Sequence, residues 1–175
     1  MMEKCIPGTN KKFVNEEAFK GFKEMIKLTD GISLGQVSAI SGIDPMVIQN
    51  WVKRGYVARP IKKKYYEKQL ARILMINSLK EAMKIEDIGK LMELINGDVE
   101  DESDDLMSEE DLYNTFSKVV YHLESFDNPE VAIKKIVKKK NKKLYNALMA
   151  MVNAYIASEH KKETKKYVSK LMEEK

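Results

Sequence analysis

The sequence predicts a mainly all-α protein with one small β-wing, and three observations predict it. Only 8 Gly and 4 Pro occur in 175 residues, while Lys, Glu, Leu, Ile and Met abound, a composition of helix formers rather than of turn-rich sheets. Apolar residues recur at three- and four-residue intervals through most of the chain. Hydroxyl, Asp and Gly residues stand where such stripes begin and end, as caps require. Hydrophobic residues at 43% and charged residues at 33% balance as in a folded helical protein rather than a disordered one.

Residues 1–31 read as a loose arm of about twelve residues and a supporting helix. Asn15 is its N-cap, Glu16 and Glu17 fill its first turn, and Ala18, Phe19, Phe22, Met25 and Ile26 form its stripe. Ser33-Leu34-Gly35-Gln36 is a capping box opening a short helix to about Ser41. Gly42 ends that helix, and Asp44-Pro45 starts another as N-cap and first helical residue, which runs to Gly55. Two short helices about a Gly-containing turn make a helix-turn-helix candidate. Tyr56 to Tyr66 is β-permissive at both ends, with Pro60 and three lysines between, which fits a two-stranded wing. Residues 67–82 and 85–95 are amphipathic helices expected to cover the back of the pair.

An acidic stretch at 98–105 has the composition of an exposed linker, so a boundary is expected there between a 32–97 unit and a helical region over 106–175. In the second region Leu112, Phe116, Val120 and Leu123 mark one helix, and Leu144, Leu148, Met151 and Tyr155 another. A break is expected near Ser158 to Lys162. These stripes serve either a dimer interface or packing within the subunit.

Charge is segregated. The net value is +4, yet residues 45–72 hold eight Lys or Arg against Glu67 alone. Residues 98–133 hold twelve acids against Lys118 alone, and 134–175 hold thirteen Lys against four Glu. Cys5 is the only cysteine, so no internal disulfide is possible and a reducing cytoplasm is the expected setting. No stretch approaches 18 uncharged apolar residues, so no membrane span is expected. His122 and His160 lack metal-ligand spacing, and no phosphate-cradling Gly loop, nucleophile elbow or paired catalytic carboxylate occurs. The expectation is a protein that is no enzyme and has neither cofactor nor metal.

The basic patch following the second short helix points to a polyanion instead. Pro45, Met46, Gln49, Asn50 and Lys53 lie where helix-turn-helix motifs touch DNA, with amide side chains suited to adenine and Lys53 to guanine or phosphate. Arg59, Lys62, Lys63 and Lys64 would straddle phosphates from the wing, with Arg54 and Tyr65 flanking it. Ile48 and Trp51 are expected in the core. The second lysine run, Lys138, Lys139, Lys140, Lys142 and Lys143, reads as solvated surface offsetting the acidic stretch.

The order helix, turn, helix, Gly-aromatic, basic wing, Tyr, long helix, short helix over residues 32–97 resembles the N-terminal domain of mercury-resistance-regulator-type (MerR) transcription factors. The resemblance rests on Ser33 to Val37, Ser41-Gly42-Ile43-Asp44, Trp51 to Tyr56, Tyr65 to Leu70 and Met83 to Ile88. The whole chain also looks like a group of uncharacterised bacterial proteins known only as a domain of unknown function. The first resemblance implies a bacterial, cytoplasmic regulator of transcription that binds double-stranded DNA as a homodimer. The chain departs from that pattern with Gln49 where an Arg is usual, Lys62-Lys63 in the wing, and an acidic stretch where a dimerising helix follows. Those departures favour the alternative of a protein-interaction module on the same scaffold without DNA binding.

Overall fold

In a computed structural model the described residues are 5–96, 107–126, 128–137 and 141–173. The acidic stretch at 98–105, with Lys138, Lys139 and Lys140, lies outside them. Among the described residues eight α-helices occur: α1 (Ala18–Leu28), α2 (Leu34–Ser41), α3 (Pro45–Lys53), α4 (Glu67–Leu79), α5 (Ile85–Asn96), α6 (Glu109–His122), α7 (Pro129–Ile136) and α8 (Lys142–Glu173).

The centre of the fold is α4. Its run Leu70-Ala71-Arg72-Ile73-Leu74-Met75-Ile76 is apolar on nearly every side, and such a helix is stable only when surrounded. It is enclosed by α1, α2, α5, α6 and α8. The stripes of α6 and α8 are used up in the same core: Leu112, Phe116, Val120, Leu144, Leu148, Met151 and Tyr155 are all buried and Leu123 partly so. Residues on both sides of the 98–105 stretch thus share one apolar core.

The all-α expectation holds, but the β-wing does not: among the described residues there is no strand and no sheet. Residues 61–64 close a two-residue turn with the single bridge Ile61↔Lys64. The next hydrogen-bonding rung would join Arg59 and Tyr66, but the Tyr66 N–H donates to Gln69 Oε1 at 3.0 Å and the Arg59 carbonyl accepts from Gln69 Nε2 at 3.1 Å, while Tyr65 pairs outward with Ile32 through backbone bonds of 2.9 and 2.8 Å. Tyr66 then opens α4 at once.

Three further expectations are corrected. The chain from Cys5 is no loose arm, because the Pro7 carbonyl accepts from buried Tyr113 Oη at 2.7 Å and the Gly8 carbonyl from Asn77 Nδ2 at 2.9 Å. Gly8 has φ +72, and a Cβ there would lie 2.0 Å from the Leu74 carbonyl oxygen, so the close approach demands glycine. Asn15 caps a turn preceding α1, its Oδ1 accepting from Glu17 N at 2.9 Å, and the helix itself begins at Ala18. Finally, α8 has no break near Ser158 to Lys162 and runs for 32 residues. Glu, Lys and His keep it helical without Gly or Pro, and Lys161 Nζ donates to the Glu81 carbonyl at 3.0 Å.

Candidate nucleic-acid interface

The α2–α3 pair is built from local signals that the sequence carries in full. Ser33 Oγ accepts from Gln36 N at 3.2 Å while Gln36 Oε1 accepts from Ser33 N at 2.8 Å, closing the capping box. Gly42 ends α2 at φ +70, and Asp44 Oδ1 accepts from Met46 N at 2.7 Å to open α3. The turn between them is tied down by Ser38 Oγ donating to the Ile43 carbonyl at 2.6 Å and by Asn77 Nδ2 donating to the Ser41 carbonyl at 3.0 Å. Asn77 also holds the Gly8 carbonyl, so one amide on α4 ties both the N-terminal turn and the end of α2 to the central helix. Sequence reasoning missed Asn77; an amide directly following the apolar run Ile73 to Ile76 was the available signal.

On α3, Ile48 and Trp51 are buried and anchor the helix to the core. Met46, Gln49, Asn50 and Lys53 recur at helical spacing on the outer side and are all exposed, Met46 at 75%. Pro45 is also exposed at the start of the helix. These five share one face of the helix.

The remaining candidates separate. Arg54 donates to Glu86 Oε1 at 2.8 Å and to Tyr56 Oη at 3.2 Å, which ties the end of α3 to α5. The Glu86 carboxyl is held below the usual carboxylate range by a bond to its own backbone N–H and by the Arg54 guanidinium. Arg59 is exposed, and its carbonyl accepts from Gln69 Nε2 at 3.1 Å. Lys64 Nζ donates to the Thr29 and Asp30 carbonyls at 2.8 and 2.7 Å, where the C-terminal end of α1 favours a cation. Tyr65 is only 3% exposed and belongs to the core, not to a contact surface; burial pushes its phenol up. Lys62 and Lys63 are exposed, with φ +48 and +65.

The basic patch is therefore smaller than its residue count. Arg72 is internal: its Nη1 pairs with Glu109 Oε1 at 2.6 Å and its Nε donates to the Tyr56 carbonyl at 2.8 Å. Of the eight cations, Lys53, Lys62 and Lys63 have side chains without a hydrogen bond or ion pair among the described residues. Lys80 is exposed, with its ammonium 5.8 Å from the centre of the Trp51 ring, and desolvation pulls it below its usual range.

Elsewhere a groove of about 600 Å³ between α1 and α6 has a floor of Phe19 and Leu144. Two of its three lining lysines are engaged, Lys20 with Glu17 at 3.2 Å and Lys118 with Glu16 at 2.8 Å. Glu16 also meets His122 Nε2 at 2.6 Å, and these two partners, His122 first, hold its carboxyl below the usual range. Among the described residues no three His, Cys, Asp or Glu come together as a metal site, and no helix is long and apolar enough to cross a membrane.

The fold and this surface define an all-helical protein presenting a capped two-helix unit at the edge of a buried central helix. Residues 23–116 match the family described as a domain of unknown function (DUF1836), and the chain belongs to that family. The matched span runs from within α1 into α6 and includes both Arg72 and Glu109. No curated protein and no solved structure matches the chain.

Proposed function

We propose that the protein is a DNA-binding regulator of transcription that reads duplex DNA with α3, in the manner of the MerR-type helix-turn-helix its residues 32–97 resemble. The observation that carries the reading is the division of α3: Ile48 and Trp51 fasten one side, and Met46, Gln49, Asn50 and Lys53 stand exposed on the other. Amide side chains at the exposed positions suit bidentate contact with adenine, and Lys53 suits guanine or phosphate. A single helix of this kind reads a short half-site, so the reading takes a homodimer on two half-sites and places the protein in the cytoplasm. With the α6 and α8 stripes buried, Tyr167, Val168, Leu171 and Met172 near the end of α8 form an exposed apolar group among the described residues that a second copy could cover. That segment is helical without packing of its own, and short isolated helices are marginal in water. Light scattering should give a dimer at micromolar concentration; a monomer removes dimerisation from this reading.

The test of the function is selection of duplexes from a random pool followed by Gln49→Ala and Asn50→Ala. Each is expected to weaken the selected site by about 1–3 kcal/mol. A pool that enriches no sequence refutes the specific reader. One observation favours the alternative of a protein-docking module: Arg54, at the end of α3, is turned to Glu86 and Tyr56. Binding to random duplex separates the two, since phosphate contacts give a steep salt slope and a docking module gives none.

A further inference from the structure

We propose that the Lys62-Lys63 turn is a phosphodiester-binding device whose charge is kept at the expense of fold stability, while Lys64 anchors the turn and takes no part in binding. The inference rests on the duplex-DNA reading above. Ile61 and Lys64 exchange backbone hydrogen bonds of 2.9 Å in each direction, so Lys62 and Lys63 are the two central residues of the turn. Their φ of +48 and +65 give it the left-handed form in which Asn-Gly is strongly preferred. Glycine there has no Cβ to clash with the following carbonyl, and asparagine tolerates the region through local hydrogen bonds. Lysine has neither property, and two in succession double the strain. A turn selected only for folding would not carry them, and strain held at an exposed position points to a use for the side chains.

The side chains are available for that use. Lys62 and Lys63 are exposed, and neither ammonium has a partner among the described residues. Lys64 differs, since its ammonium is held by the Thr29 and Asp30 carbonyls at the end of α1. Gly31 lies against it so closely that a Cβ on Gly31 would come within 2.9 Å of Lys64 Cβ. The turn is thus anchored at its base and carries two unpartnered cations at its tip. An ammonium is a compact point charge, and at the tip of a turn outside the reading helix its chemical match is the phosphate of the duplex backbone.

The test uses the full chain, a labelled random-sequence DNA duplex and thermal unfolding. Lys62→Asn with Lys63→Gly should raise Tm by about 2–4 °C. The same variant should bind the duplex on the order of ten-fold or more weakly at 0.1 M salt, with a log–log salt slope flatter by about 2. Lys62→Gln with Lys63→Gln keeps the strained backbone and should lose the same affinity without the gain in Tm. Lys64→Gln should lower Tm and leave the salt slope as it was. If the native chain binds duplex and both double variants match its affinity and slope, this inference is overturned while the α3 reading stands. If the native chain binds no duplex at low salt, both are overturned. An Asn-Gly variant no more stable than the native chain overturns the exchange of stability for charge.

Discussion

On one side of Tyr56 the chain faces water and on the other it faces the core, and the two arginines that touch this residue show the difference. Arg54 reaches the Tyr56 hydroxyl and pairs with Glu86 at 2.8 Å, with the two side chains 44% and 52% exposed. Arg72 reaches the Tyr56 carbonyl and pairs with Glu109 at 2.6 Å, with the side chains 2% and 1% exposed. The same chemistry has opposite weight in the two places. Water screens the first pair and can replace either partner, whereas loss of one partner from the second strands a charge in the core. The edge of the molecule, with α2, α3 and the 61–64 turn, is therefore free to change its surface, and the α4–α6 centre is not.

The largest expected effect comes from breaking that centre. Arg72→Ala or Glu109→Ala should destabilise the chain by about 3–5 kcal/mol in denaturant unfolding, and Arg54→Ala by no more than about 1 kcal/mol. Similar values for the two arginines would break the comparison. The double change Arg72→Met with Glu109→Leu sharpens it, because replacing a buried pair by apolar side chains is expected to be neutral or stabilising.

Two left-handed glycines repeat the contrast on a smaller scale. Gly55, at φ +78 after α3, has nothing within 4 Å of where a Cβ would stand, whereas at Gly8 a Cβ would meet the Leu74 carbonyl oxygen at 2.0 Å. Gly55→Ala should cost about 1–2 kcal/mol, the backbone strain alone. Gly8→Ala adds a backbone collision and should lower Tm further; the reverse order would contradict the docking of the N-terminal turn on α4. Ser33→Ala, which removes the cap of α2, should cost about 1 kcal/mol. Because α2 holds the turn that orients α3, duplex binding by this variant tests how far the edge depends on its own caps.

The smallest effect is a pH dependence at the α1–α6 contact. His122 and Lys118 hold the Glu16 carboxyl below its ordinary value of 4.5, so the contact stabilises the fold above that value and is lost as the pH falls through the depressed one. The stability difference between the native chain and Glu16→Gln should shrink on acidification below 4.5. A difference that grows on acidification would reverse the assigned sign.

Much of the edge was legible in the sequence because its determinants are local. Ser33 with Gln36, Gly42, and Asp44 with Pro45 act within a few residues of themselves, so the ends of α2 and the start of α3 could be read directly, and so could the burial of Ile48 and Trp51 from their spacing. The centre was not legible in the same way. Arg72 counted as surface charge because a sequence does not state that Glu109, 37 positions away, closes on it. Tyr65 and Lys64 looked like contacts until Ile32 and the end of α1 took them as partners. The wing failed because the Gln69 side chain took the Tyr66 amide and the Arg59 carbonyl that the next rung of its ladder would have joined, and the stripes of α6 and α8 disappeared into a shared core.

The sequence by itself determined the helical class, the caps of the α2–α3 pair and the exposed stripe on α3, because capping and helical periodicity are set by neighbours three and four residues apart. Only the tertiary structure decided which cations stay on the surface, that the 61–64 segment is a strained turn rather than a sheet, and that α6 completes the core around α4. Those outcomes depend on which distant group reaches a charge or a backbone amide first, and desolvation makes that partnership obligatory once the site is buried.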